Sequence, residues 1–314
     1  MNLAPIVLFV YNRPWHSQKT IQALIQNKLS SESELYIYAD APKNEGDSFF
    51  VQQVRDYIDN ITGFKKVTVI KRTKNLGLAN SVIDGVTTIL NNYGKIIVVE
   101  DDLVTSPFFL DYMNNALDVY QNQNKVMHIS GYMFPVSNAE KLPTTFFYRA
   151  TTCWGWATWK RAWDNFEQSS IRLLEDIHSQ KLENKFDIQG TYEYSSMLKS
   201  QSEGDIDSWA VRWYASVFLK NGLCLHPATS LVHNIGFDGS GVHCGPNLSF
   251  AVDTLNTNYI EIDESQEITE SVEGFLAIEE FNRQLTPPLY IRAFYKLVRI
   301  VRKLSERIFY KDNK

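Results

Sequence analysis

Ile96-Ile97-Val98-Val99-Glu100-Asp101-Asp102 is the stretch that decides the fold. Four branched apolar residues in a row read as a strand buried on both faces, and the strand runs straight into three acids. Carboxylates crowded at a strand end repel one another unless a cation or bound donors compensate. Oxygen ligands of this kind suit Mg²⁺ or Mn²⁺, which bind through one or two carboxylates plus substrate phosphates. The C-terminal ends of strands in open α/β sheets are also where ligands bind. The triplet therefore points to a metal–phosphate site, with a solvated acidic turn as the plain alternative.

Upstream of the triplet, strand and helix signals alternate. Strands are expected at Ile6–Val10, Leu35–Tyr38, Lys66–Ile70 and Lys95–Val99, and helices at Trp15–Gln26, Phe50–Ile61 and Asn80–Asn91. Val- and Ile-rich strands separated by helices of this length imply βαβ units and a largely parallel sheet, hence an α/β fold. Polar residues stand at three strand ends: Asn12-Arg13, Asp40 and Asp101-Asp102. A crevice lined from several strand ends is the expected seat of a nucleotide. Neither GxGxxG nor GxxxxGK[ST] occurs, which disfavours NAD by its usual fingerprint and P-loop ATP or GTP binding.

At 314 residues, 44% of them hydrophobic and 13% aromatic, the chain can bury a sizeable core. The net charge of -5 gives no global basic field for nucleic acid. Three cysteines, Cys153, Cys224 and Cys244, without CxxC spacing argue against a disulfide framework or a zinc site and suit a reducing cytosol. The first residues lack a basic segment, and their short apolar run reads as a first strand rather than a signal peptide. No stretch reaches the roughly 18 apolar residues of a membrane span.

The second half is rich in Trp and Tyr, with helix-like stretches at Ile171–Lys181 and Ser208–Lys220. No Gly/Ser or Pro linker separates the halves, so residues 1–285 are expected as one globule, 1–105 forming a nucleotide half and 106–285 an acceptor-side half. After Pro287-Pro288, residues 289–311 carry seven Lys or Arg against Glu306 alone, with apolar residues at helical spacing. A basic amphipathic helix at 286–314 reads either as a membrane-surface element or as a helix docked on its own domain or on a second copy.

Together these motifs resemble a glycosyltransferase of the GT-A fold, a Rossmann-like sheet flanked by helices. The resemblance rests on Leu8-Phe9-Val10-Tyr11-Asn12-Arg13, Asp40, Asn75-Leu76-Gly77-Leu78-Ala79, Val98-Val99-Glu100-Asp101-Asp102-Leu103 and Ser106-Pro107-Phe108-Phe109, and covers roughly residues 5–245. The Glu-Asp-Asp-Leu form of the acidic motif and Trp154-Gly155-Trp156 are similar to the N-acetylglucosaminyltransferases that begin complex N-glycan synthesis. Bacterial sugar transferases of polysaccharide clusters share these features.

The resemblance implies Mn²⁺ or Mg²⁺ held by Asp102, with Asp101 near the ribose or the metal's water shell. Arg13 and Asp40 would contact the nucleotide, Asp40 through a uracil N–H. Asn75 and Gly77 would lie under the sugar and phosphates. The donor would be a nucleotide-diphosphate sugar, UDP-linked as the first expectation, and the acceptor a glycan or lipid-linked saccharide. Such an enzyme would be cytoplasmic, peripheral at the inner membrane face if the tail binds lipid. An inverting transfer needs a carboxylate base. Asp207 and Asp205 are the candidates, Asp207 doubling as an N-cap for Ser208–Lys220. A late His, His233, would add a metal or diphosphate contact. The glycine-rich loop 236–245, which also holds His243, reads as a donor lid or a surface loop. Most tryptophans are expected in the core, with Trp154 or Trp156 as the exception that forms an acceptor platform. Two rivals stay open: a sugar-phosphate nucleotidyltransferase, which would release pyrophosphate, and a non-catalytic nucleotide-sugar- or membrane-binding protein.

Overall fold

The computed structural model describes residues 2–239, 248–252 and 254–285. The expected tail helix, His243 and Cys244 lie outside these residues. In chain order the elements are β1 (Ile6–Val10), α1 (Pro14–Ile25), β2 (Glu34–Ala39), α2 (Glu45–Ile58), β3 (Lys66–Lys71), α3 (Leu78–Tyr93), β4 (Lys95–Glu100), β5 (Leu103–Thr105), α4 (Phe109–Val119), β6 (Val126–Ser130), β7 (Thr145–Tyr148) and β8 (Trp156–Trp159). There follow α5 (Lys160–Trp163), α6 (Ser170–Ser179), α7 (Glu183–Phe186), α8 (Tyr194–Glu203), α9 (Trp209–Leu219), β9 (Leu223–Pro227), β10 (Val232–Asn234) and α10 (Val272–Leu285).

Eight strands form one sheet in the order β3-β2-β1-β4-β8-β6-β9-β7. Pairing is parallel from β3 through β4 and between β6 and β9; β8 and β7 run the other way. The architecture is therefore mixed α/β around a mostly parallel sheet, consistent with the GT-A expectation. The sheet runs on through both halves of the chain. β10 pairs separately with β5, antiparallel, Asn234 opposite Leu103.

The strands alternate with period two, and helices cover both faces. Ile6, Leu8, Val10, Ile97 and Val99 pack on the face shared with α1, α2 and α4. Val7, Phe9, Ile96 and Val98 pack on the other, against Val82, Val86 and Ile89 of α3 and Trp209, Trp213 and Val217 of α9. The opposite side of α9 (Val211, Tyr214, Phe218) meets α6, α8 and α10 in a third cluster. Because α9 is buried all round, it fixes the segment that leads into it, where Asp207 lies. The expected α2 start at Phe50 falls five residues late: Asn44 caps the helix by accepting the Asp47 N–H, and the polar first turn Glu45–Ser48 carries no apolar signal.

Candidate active site

A cavity of about 370 Å³ opens at the C-terminal ends of β1, β2 and β4. Lining it are Arg13, Asp40, Asn75, Gly77, Asp101, Asp102 and Asp207, all of them expected from sequence. All but Asp207 reach the cavity because the parallel strands deliver the residues that follow them to this edge, which is also where α1, α2 and α3 begin; Asp207 comes from the segment before α9.

Asp40 ends β2, is buried, and serves as an anchor for backbone. Its carboxylate accepts the N–H groups of Ala41, Leu76 and Gly77 at 2.9–3.1 Å. Asn75 closes the same turn by donating from Nδ2 to the Ala41 carbonyl at 2.7 Å. Gly77 sits at φ 74° and ψ 161°, a conformation nearly confined to glycine, and opens α3. The expected uracil contact of Asp40 thus competes with three backbone donors; what the carboxylate does in this structure is shape the 75–77 loop.

The acids form a strongly coupled group. Burial pushes the Glu100 carboxyl up to about 8, with Asp102 and Asp101 adding repulsion and the Trp209 indole donating to it. Burial and the Asp102 charge also raise Asp101, opposed by Arg13 and by the Tyr11 backbone N–H, which donates to it. Arg13 Nη1 donates to Asp102 Oδ2 at 2.8 Å and lies 4.0 Å from Asp101, while its Nη2 lies 3.7 Å from Asp238. Arg13 is therefore the counter-ion of the acid cluster. The other Asp102 oxygen, Oδ1, is buried without a hydrogen-bond partner. An unsatisfied carboxylate oxygen calls for a cation or donor. Among the described residues no three His, Cys, Asp or Glu side chains converge as a metal site. The donor set thus fits an ion held by Asp102, with Asp101 close by, that completes its shell with water and ligand phosphates.

Two expected residues stand apart. Asp205 is exposed and does not line the cavity. His233 also lies outside the lining: on β10 the neighbouring Asn234 takes the cavity side, and His233 Nδ1 meets the Val252 carbonyl at 3.0 Å. Asp207 lines the cavity and pairs with Arg212 at 3.3 Å, but the N-cap of α9 is Ser208, whose hydroxyl accepts the Val211 N–H. The cap expected of Asp207 moves one residue on, which leaves the carboxylate free to face the cavity. Trp154 lines the cavity, edge-on to Tyr132 and Phe237, whereas Trp156 is fully buried, stacked on His128 and Trp209.

Sequence reasoning singled out the glycines after β10 but missed the places of Asn234, Ile235 and Asp238 around the acid cluster. The Ile235 N–H donates to the Asp102 carbonyl at 2.8 Å, and Asn234 and Gly236 line the cavity. Asp238 pairs with Arg13, 3.7 Å from its Nη2, and contacts His16 at 3.0 Å. Glycines in 236–245 were the available signal; their target was not readable. Tyr11 was also missed: its hydroxyl donates to Asp47 and accepts the Lys43 N–H, both at 2.9 Å, tying the β1 end to the start of α2.

No family model matches the chain, and no curated protein does. Among solved structures it is similar to the mannosyltransferase PcManGT from Pyrobaculum calidifontis in complex with GDP-Man and Mn²⁺, at 11% identity and TM-score 0.38, covering 68% of this chain and 73% of that one. Similarity to S. aureus TarS 1-349 is 11% identity and TM-score 0.39, over 73% and 59% of the two chains. A putative nucleotide-diphospho-sugar transferase from Desulfovibrio desulfuricans G20 gives 12% and 0.32, over 54% and 69%. Likeness this small carries no argument about activity, which rests on the site itself.

Proposed function

We propose that the chain is a metal-dependent glycosyltransferase that takes a sugar from a nucleotide-diphosphate donor, UDP-linked, to a glycan or lipid-linked saccharide. The observation that carries this reading is the buried, unpartnered Asp102 Oδ1 beside a cavity at the parallel strand ends that Arg13 and Asp207 also line. Mn²⁺ or Mg²⁺ held by Asp102 would neutralise the charge that develops on a diphosphate leaving group. Arg13 supports the same wall as a fixed positive charge. The 75–77 turn, anchored by Asp40, brings bare backbone close to the donor at Gly77.

Asp207 is the general base: it lies in the cavity, and Arg212 orients its carboxylate while leaving it about half exposed to an incoming hydroxyl. Asp205 has no such access. A carboxylate base lining the same cavity suits an inverting transfer. Trp154 offers an aromatic face for the acceptor. Among the described residues no helix is long and apolar enough to cross a membrane. The basic 289–311 sequence supports a peripheral role at an anionic inner membrane face, which suits a lipid-linked acceptor in polysaccharide synthesis.

Calorimetric titration with UDP, with and without Mn²⁺, tests the donor site. Binding should require Mn²⁺ and vanish in Asp102→Ala. Asp207→Asn should keep that binding while donor turnover falls about 100-fold or more. If no nucleoside diphosphate binds the wild type, the transferase reading fails.

A further inference from the structure

The cavity has two chemically different walls. One carries Arg13, Asp101 and Asp102, the diphosphate end. The other faces α3 and α9 and is lined by Phe9, Tyr38, Leu78, Ser81 and Glu100. Phe9 and Tyr38 stack with ring centroids 5.5 Å apart and form its apolar part. Glu100 follows Ile96 and Val98 on the strand face that meets α3 and α9, where Trp209 holds its carboxyl.

Ser81 lies in the first turn of α3 and is 5% exposed. Its Oγ makes no hydrogen bond, although a helical serine commonly satisfies its hydroxyl on the carbonyl four residues back. A covered, unpaired hydroxyl is unfavourable in the empty protein and calls for a reason. Alanine would pack at this position without that penalty. An aromatic pair, one hydroxyl and one carboxyl lining the same wall are chemistry suited to a sugar ring, with C–H groups toward the aromatics and hydroxyls toward the polar groups.

We propose that Ser81 is a specificity-determining residue that hydrogen-bonds a hydroxyl of the donor sugar. This rests on the transferase reading above. On that reading the Arg13–Asp102 wall would take the diphosphate and the 75–77 turn would lie under the sugar and phosphates, so the Ser81 wall, which starts in the helix that turn opens, would meet the transferred hexose. Its hydroxyl then discriminates between donors that differ at one ring position.

The test is calorimetry on wild type and Ser81→Ala with Mn²⁺, comparing UDP with UDP-glucose, UDP-galactose and UDP-N-acetylglucosamine, and GDP with GDP-mannose. For the donor that presents the matching hydroxyl, the ratio of the nucleotide Kd to the nucleotide-sugar Kd should fall about three- to tenfold in the variant, the size of one neutral hydrogen bond. The Kd of the bare nucleotide should stay within twofold, and Tm should hold or rise, because an unsatisfied hydroxyl has been removed. Unchanged ratios for every donor overturn the proposal. So does an equal loss for nucleotide and nucleotide-sugar, which would put the hydroxyl on the nucleotide. A Tm drop of several degrees overturns it too, by showing a structural bond. A wild type that binds no nucleotide at all refutes the transferase reading itself, an outcome distinct from these three.

Discussion

Gly236→Ala probes how closely the acid that would hold the metal is positioned. A Cβ at Gly236 would lie 2.1 Å from Asp102 Oδ2 and 2.9 Å from Asp102 Cγ, against 3.4 Å or more for ordinary contact. The carboxylate must therefore retreat by about 1.3 Å, or the backbone after β10 must move as far. Metal–ligand distances tolerate about 0.2 Å. Retreat also breaks the 2.8 Å hydrogen bond from Arg13 to the same oxygen. Disturbing the groups that orient a metal ligand typically costs 10–100-fold in affinity. UDP binding in the presence of Mn²⁺ should accordingly weaken about 10–100-fold, or about 1.4–2.7 kcal/mol. Because φ at Gly236 is not left-handed, the new methyl adds no strain of that kind, and the stability cost should be that of the lost Arg13–Asp102 bond, about 1.5–3 kcal/mol. Calorimetry with UDP over a Mn²⁺ series, with Asp102→Ala as the null-binding control, reads the effect. Affinity within twofold of wild type would refute the reasoning, because the observed seat of Asp102 would then be irrelevant to binding.

Gly77→Ala meets no neighbour within 4 Å, so its cost is backbone strain alone, about 1–3 kcal/mol in urea unfolding; no measurable loss would show that the 75–77 turn adopts another conformation. Asp40→Asn places an amide where three N–H groups seek acceptors and should cost about 2–3 kcal/mol, with nucleotide affinity falling alongside; a change under about 0.5 kcal/mol would contradict the anchoring role. His128 is buried; Trp213 donates to its Nδ1 at 3.0 Å, so Nε2 carries the proton toward the Thr152 carbonyl, and desolvation with His226 nearby lowers its pKa to about 3. A depressed histidine contributes nothing above its unfolded pKa of about 6.5 and loses stability as pH falls below it, since only the unfolded chain then takes up the proton. Glu100 and Asp101, raised in the fold, run the opposite way, so the readout is a difference: from pH 7 to 5 wild type should lose about 2 kcal/mol more than His128→Gln in urea titrations. Parallel losses in the two proteins would sink this account.

The parallel half of the fold was legible because β1 and the Ile96–Val99 core of β4 are buried Val/Ile runs and helical spacing separates the strands, and the acid triplet stood out because three charges follow such a run directly. The second half was not. β8 is only Trp156-Ala157-Thr158-Trp159, and its place between β4 and β6 is set by long-range pairing rather than by any local pattern. The same cause hid Asn234 and what Gly236 approaches. Their approach to Asp102 follows from the β10–β5 pairing, and the two-residue period of a strand sends Asn234 into the cavity in place of its neighbour His233. Asp207 lines the cavity while its expected cap went to Ser208, because both residue types carry the same capping signal and only geometry separates them. Ser81 carried no signal at all: a serine inside a helix declares itself only when its partner is found missing.

The pairing of β10 with β5 bears on how the protein is made. The β5 strand and the acids before it leave the ribosome more than a hundred residues before their partner, and until β10 arrives nothing covers Asp102 from the side of Gly236. A nascent or truncated chain ending near residue 150 holds every motif of the first half and still lacks Asp207, Asn234 and Gly236. On the proposed reading, donor capture would be tied to completion of the fold, and a half-synthesised chain would have no finished seat in which to hold an activated sugar.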